Sequence, residues 1–205
     1  MTTSIDVFAD IWCPFAHIGL RCAREQLDAA GRPDVVLRIR PWPLELVNSA
    51  PMDPDRTTAH IAHLRHQIDD TRFVGFRVET FPTSTIEPLA LTERAYVVDP
   101  QVGEAMAFAL REALFERGID ISDPEAIAAL AAEHGIDPPG PEDREAVIAS
   151  WHEGQARGVK GSPHFFCGDA EMFCPSLDIT RPAEGEVIID LDVDRLAGFL
   201  RACLD

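Results

Sequence analysis

Strand-forming sequence is confined to the two ends of this 205-residue chain, and the long stretch between residues 51 and 158 carries helical patterning almost throughout. This distribution constrains the fold most, because the sheet has to be assembled from segments far apart in sequence. At the N-terminal end, Ile5-Asp6-Val7-Phe8-Ala9-Asp10 reads as a strand. Residues 14–30 read as a helix with Pro14 in its first turn and Gly31 closing it, and 34–40 as a second strand. A helix between two strands is the crossover that parallel pairing requires. At the C-terminal end, residues 164–167 and 171–174 flank a Gly168-Asp169 turn as a hairpin, 186–190 adds an edge strand, and 193–204 forms an amphipathic closing helix. Between these ends, helices are expected over 53–70, 86–98, 102–117, 123–134 and 142–157, with Ser122-Asp123-Pro124 and Gly135 among the start and stop signals. Only Phe76-Arg77-Val78 looks like a strand there. The expected architecture is α/β: one domain from residues 1–50 and 158–205, with an inserted helical domain over 51–157.

A chain of this length buries a full core without a disulfide scaffold. It shows no basic-then-apolar leader and no apolar run of ~18 residues or more, so a cytoplasmic protein with no membrane contact is expected. The five cysteines, at 13, 22, 167, 174 and 203, have no metal-finger spacing and suit reduced thiols. A cross-strand Cys167–Cys174 disulfide is sterically conceivable, but thiols are the expectation. The formal charge of −17, with Lys160 the single lysine, repels nucleic acid and anionic membrane surfaces.

The chemistry concentrates at Trp12-Cys13-Pro14-Phe15-Ala16-His17-Ile18-Gly19, where a cysteine opens a helix. Unpaired backbone N–H groups and the positive end of the helix dipole favour thiolate there, and the thiolate is the nucleophile. A free cysteine is more commonly a small buried hydrophobe; the helix-start position argues for chemistry. The spacing is that of a Cys-x-x-Cys site whose second position is Ala16, so no neighbour in the motif can resolve a mixed disulfide formed at Cys13. Cys22, nine steps of ~100° further on, falls on the opposite helix face. His17 either stands one turn above the sulfur, tuning the thiolate or moving a proton, or is a partly exposed helical histidine. His60, His63 and His66 span ~120° of a helix, too wide for an i, i+4 chelate, and no metal site is expected.

Together, the strand, the Cys-Pro helix start, the helical block and the Gly161-Ser162-Pro163 turn into a hairpin resemble the DsbA-like branch of the thioredoxin superfamily over essentially the whole chain. Within it the chain resembles FrnE-like proteins and is similar to 2-hydroxychromene-2-carboxylate isomerases and kappa-class glutathione transferases. The resemblance implies a thioredoxin fold with a large all-helical insertion. It matches Cys13 to the attacking cysteine of FrnE-like members and to the catalytic serine of the isomerases and transferases, with Pro14 and Phe15 as the variable pair. It matches Ser162-Pro163 to the residue and cis-proline facing the active-site sulfur. A proline at a strand start, where no ladder N–H is needed, is physically consistent with that role. The resemblance also implies that the segment Trp42-Pro43-Leu44-Glu45-Leu46-Val47-Asn48 lines the cleft, with Trp42 as an apolar wall, and that Ser176 in Cys174-Pro175-Ser176 contacts the ligand.

Three readings are open. Cys13 forms a transient mixed disulfide with a low-molecular-weight thiol (glutathione, mycothiol or bacillithiol) or with substrate, in a monothiol cycle. Alternatively, Cys13 orients a bound cofactor thiol in an isomerase or transferase. In the third, the protein kept the fold, lost the redox pair and binds a ligand. No tightly bound cofactor is expected, and a homodimer is compatible with the sequence.

Overall fold

The computed structural model describes residues 4–68, 71–180 and 188–204. Strand β1 (Ser4–Ala9) and β2 (Val36–Pro41) are joined by α1 (Pro14–Ala29) and pair in parallel, with Ile5 opposite Leu37 and Val7 opposite Ile39. Beyond β2 comes the short α2 (Leu44–Asn48), and then the helical block of α3 (Pro54–Gln67), α4 (Ile86–Val98), α5 (Pro100–Phe115), α6 (Pro124–Glu133) and α7 (Pro141–Ala156). Strands β3 (His164–Cys167) and β4 (Ala170–Phe173) form the hairpin, and α8 (Val193–Leu204) closes the chain. The main sheet runs β2-β1-β3-β4, antiparallel beyond β1.

The helix boundaries follow local chemistry. Proline occupies the first turn of α1, α3, α5, α6 and α7, where its missing N–H has no intrahelical role. The carboxylates of Asp53, Asp99 and Asp123 accept N–H groups from the first turns of α3, α5 and α6. The Asp99-Pro100 cap starts α5 two residues before the apolar pattern indicates. Gly31 and Gly135 end α1 and α6 in the left-handed region, with φ of 70° and 66°.

Three elements differ from expectation. Residues 76–78 form no strand; Val78–Thr80 is a single 3₁₀ turn. The short α2 has no apolar periodicity to announce it. The strand expected at 186–190 appears as β6 (Ile188–Leu191), while 186 and 187 lie outside the described residues, as does Asp70 at the end expected for α3. Strand β6 is not an edge of the main sheet. It pairs with β5 (Leu177–Thr180) in a separate two-stranded ribbon, because the turn after β4 carries the chain out of the sheet plane.

One face of the sheet, with Ile5, Val7, Leu37, Ile39 and Phe165, joins α1 and the helical block in a continuous apolar core. On the other, Phe8, Trp42 and Phe166 form a smaller aromatic cluster against Trp151. The edge of β2 is capped by side chains: Leu37 N–H donates to Glu104 (3.1 Å), Ile39 N–H donates to the Tyr96 hydroxyl (2.9 Å), and that hydroxyl donates to the Leu37 carbonyl (2.7 Å). No helix among the described residues is long and apolar enough to cross a membrane.

At Gly154 a Cβ would lie 2.5 Å from the Trp42 ring, closer than carbon atoms approach. Gly154→Ala is expected to lower unfolding free energy by about 1–3 kcal/mol, through forced displacement of Trp42, in equilibrium urea denaturation.

Candidate functional site

Sheet register brings the two halves of the site together. In the antiparallel β1–β3 pair, Phe8 stands opposite His164, so the chain beyond each strand end sets Asp10 against Ser162. Asp10 N–H donates to Ser162 Oγ (2.9 Å), and three residues later Cys13 Sγ donates to the Ser162 carbonyl (3.2 Å). The Ser162–Pro163 peptide is cis. Gly19 lets α1 approach this loop closely: a Cβ there would lie 3.1 Å from Pro163 Cγ and 3.1 Å from Ser176 Oγ.

Cys13 is the N-cap of α1, and the Ala16 and His17 N–H groups both donate to its carbonyl. Its side chain is only 4 % exposed. Burial raises the thiol pKa above the ordinary cysteine value and outweighs the Ser162 side chain and the helix-start N–H groups, which lower it; neighbouring Asp10 raises it further. The thiolate preference expected from the helix start is therefore overridden by desolvation in the resting site.

Asp10 is wholly buried. Its carboxylate accepts N–H groups from Ile11 (2.6 Å) and Leu44 (2.5 Å), and burial raises its pKa to about 6 despite these bonds. Arg111, also buried, donates from Nη2 to the Asp10 carbonyl at 3.2 Å.

Cys13 opens onto a cleft of about 580 Å³. Its lining includes Pro14, Phe15 and Ser162, Leu44, Asn48 and Met52, and Phe173, Cys174 and the β5 residues Leu177, Asp178 and Ile179. Arg56 and His60, one turn apart on α3, overlook it, and the His60 ring sits 5.1 Å from that of Phe15. Arg195 of α8 donates to the carbonyls of Cys174, Pro175 and Leu177, shaping the floor. Cys174 itself has a φ of 46° and donates its N–H to the Pro163 carbonyl (2.9 Å).

Three residues expected at the site lie elsewhere. Trp42 continues the alternation of β2 onto the face of Arg40, packing edge-on to Phe8 with ring centroids 6.4 Å apart; Leu44 takes the cleft-wall position. Ser176 is buried against Gly19, its hydroxyl without a hydrogen-bond partner among the described residues. His17 is fully buried between Phe73 and Phe115, with Nε2 3.1 Å from Glu116, and burial lowers its pKa against that carboxylate; it is not among the cleft residues. Cys22 is buried in the core, and none of the five cysteines is in a disulfide, Cys167 and Cys174 included. Leu44 and Asn48, from the 42–48 segment that the resemblance assigns to the cleft lining, do line it, whereas Met52, Arg56, Asp178 and Arg195 join them without being expected there. The i, i+4 spacing of Arg56 and His60 on a polar helix face was the one available sign.

The family model for the DSBA-like thioredoxin domain matches residues 4–183. The chain belongs to this family. Its fold is shared with 2-hydroxychromene-2-carboxylate isomerase (14 % identity, TM-score 0.60, covering 83 % of this chain and 88 % of that one). It is shared also with the cytosolic disulfide reductase DsbM from Pseudomonas aeruginosa with GSH (17 %, TM-score 0.59, 98 % of each chain). Proteus mirabilis ScsC in a compact conformation is a third example (13 %, TM-score 0.56, 98 % and 82 %). None of the curated proteins compared with the chain matches it. This DSBA-like protein therefore carries a thioredoxin domain over most of its length.

Asp10 supplies a measurable pH signature. Its pKa is about 6 in the folded protein against 3.8 unperturbed, so the folded state holds this proton more tightly and stability falls as pH rises from about 4 to 6. Asp10→Asn removes that dependence. Relative to wild type, the variant is expected to gain about 2–3 kcal/mol of unfolding free energy between pH 4 and pH 7, measured by urea denaturation at each pH.

Proposed function

We propose that the protein catalyses thiol–disulfide exchange through a single cysteine, Cys13, with a low-molecular-weight thiol of the glutathione or mycothiol class as co-substrate in the cytoplasm. The observation that carries this reading is the Cys13 sulfur at the foot of an open cleft, 3.2 Å from the carbonyl preceding cis Pro163, with no second cysteine at position 16. The cycle balances without a partner cysteine. After losing its proton to solvent, the Cys13 thiolate attacks one sulfur of a disulfide RSSR; the Cys13–SR bond forms, the S–S bond breaks and RS⁻ departs. A second thiolate attacks the Cys13–SR disulfide, and Cys13 leaves as thiolate.

The cleft suits such a ligand. Phe15, Leu44 and Met52 offer apolar surface, the Ser162 carbonyl lies beside the sulfur, and Arg56 opposes the acidic character of the chain where an anionic thiol would lie. GSH accompanies the DsbM neighbour, which is consistent with this ligand class.

A second reading rests on the Cys13 thiol donating to Ser162 while burial holds it protonated. A protonated donor at this position can orient a bound thiol, as an isomerase or transferase requires. The two readings separate at Cys13→Ser, which abolishes exchange but preserves orientation.

Intact-mass measurement after exposure to a panel of low-molecular-weight disulfides is expected to show one adduct mapping to Cys13, reversed by free thiol and absent in Cys13→Ser. Because the thiol pKa is raised, the adduct rate should climb about tenfold per pH unit between pH 7 and pH 9. Absence of the adduct in folded protein would reject the exchange reading. Ala16→Cys places a resolving thiol at the buried second position of the motif and is expected to confer insulin-disulfide reduction, followed by turbidity, that wild type lacks.

A further inference from the structure

A buried guanidinium stands behind the site with no carboxylate paired to it. Arg111, in the middle of α5, is fully excluded from solvent. Its Nη1 donates to the Ala107 carbonyl on its own helix (2.7 Å), and Nη2 donates to the Asp10 carbonyl (3.2 Å). Nε has no partner, and no carboxylate oxygen comes within 4.0 Å of the group among the described residues. Desolvating a cation without an adjacent anion opposes folding, and an apolar side chain of similar length would fill the space without that penalty. The neighbouring buried positions of the helix are apolar, among them Met106, Leu110 and Leu114.

The position has a clear chemical address. Asp10 is the last residue before the turn that delivers Cys13; both acids are buried, and Arg111 holds the Asp10 backbone carbonyl. The other titratable groups close enough to interact with Arg111 are Tyr96 of α4 and His17 of α1. On the open side, the cleft above Cys13 brings Arg56 and His60 from α3, Asp178 from β5 and Arg195 from α8.

We propose that Arg111 is a positioning residue for Cys13: its charge balances the Asp10 carboxylate, so that a Cys13 thiolate can form without placing two uncompensated anions in one water-free wall. The proposal rests on the thiol chemistry at Cys13 described above. Arg111 touches no cleft occupant and acts through Asp10 and the turn it anchors. Arg56 and Arg195, by contrast, line the open cleft.

The test uses Arg111→Met, which removes the charge, and Arg111→Lys, which keeps it, in the full chain. Thiolate formation is followed by its ultraviolet absorbance, taken as the difference from the same protein carrying Cys13→Ser. The methionine variant is expected to raise the Cys13 midpoint by about one pH unit, equivalent to about tenfold less thiolate at any pH below the midpoint. The lysine variant should recover at least half of that shift. An unchanged midpoint in cooperatively folded Arg111→Met, or a lysine variant shifted as far as methionine, overturns the proposal.

Asp10→Asn provides an independent arm should Arg111→Met not fold. With the carboxylate gone and Arg111 unbalanced, the Cys13 midpoint should fall by about one unit; no fall overturns the proposal. A midpoint that moves as expected in a protein that forms no Cys13 adduct rejects the exchange reading while upholding the charge role.

Discussion

The hydrogen bond from Asp10 N–H to Ser162 Oγ joins segments 152 residues apart, and the site exists because of it. It follows from the β1–β3 register, in which Asp10, just after β1, and Ser162, two residues before β3, emerge at the same end of the sheet. Once Asp10 is fixed, its carboxylate collects the N–H groups of Ile11 and Leu44, which sets both the turn into α1 and the exit from β2. Cys13 then meets the Ser162 carbonyl. A satisfied buried carboxylate is a rigid anchor, since removing any one of its donors leaves a charge uncompensated in a low-dielectric interior.

Burial and helix position act on Cys13 in opposite directions. The start of α1 supplies N–H groups that stabilise a thiolate, but the sulfur is almost wholly desolvated, and desolvation is the larger effect. The resting site consequently holds a thiol donating to Ser162. Its reactivity depends on what reaches it from the cleft and on the charges behind it, among them Asp10 and Arg111.

The helical block participates in the fold and the cleft at once. Its helices α4 and α5 cap the exposed edge of β2 through Tyr96 and Glu104, a task another strand would otherwise perform. Glu45 of α2 accepts the Thr85 N–H at 2.8 Å and holds the β2 exit against the start of α4. Arg157, just past α7, pairs with Asp6 on β1 at 2.7 Å. Helix α3 supplies Arg56 and His60 to the cleft and holds the β5–β6 ribbon through Gln67, which accepts the Ile189 N–H at 2.6 Å, so the insertion shapes what the sulfur can meet.

Much of this was legible locally. Prolines and aspartates mark helix starts, period-two runs mark β1 to β4, and Cys13-Pro14 marks the reactive end of α1, because capping and turn chemistry act within a few residues. The short α2 and the β5 strand carried no such signature, and their form comes from packing against the cleft walls. Trp42, Ser176 and His17 lie close in sequence to site residues, yet strand parity, loop packing against Gly19 and an aromatic layer direct them elsewhere. The sequence by itself determined the long helices, strands β1 to β4 and the identity of the cysteine, since these depend on short-range hydrogen bonding and hydrophobic period. Only the tertiary structure decided the protonation balance at Cys13, the cationic cleft wall and the approach of Arg111 to Asp10, because desolvation and Coulombic neighbours arise from residues brought together across the whole chain.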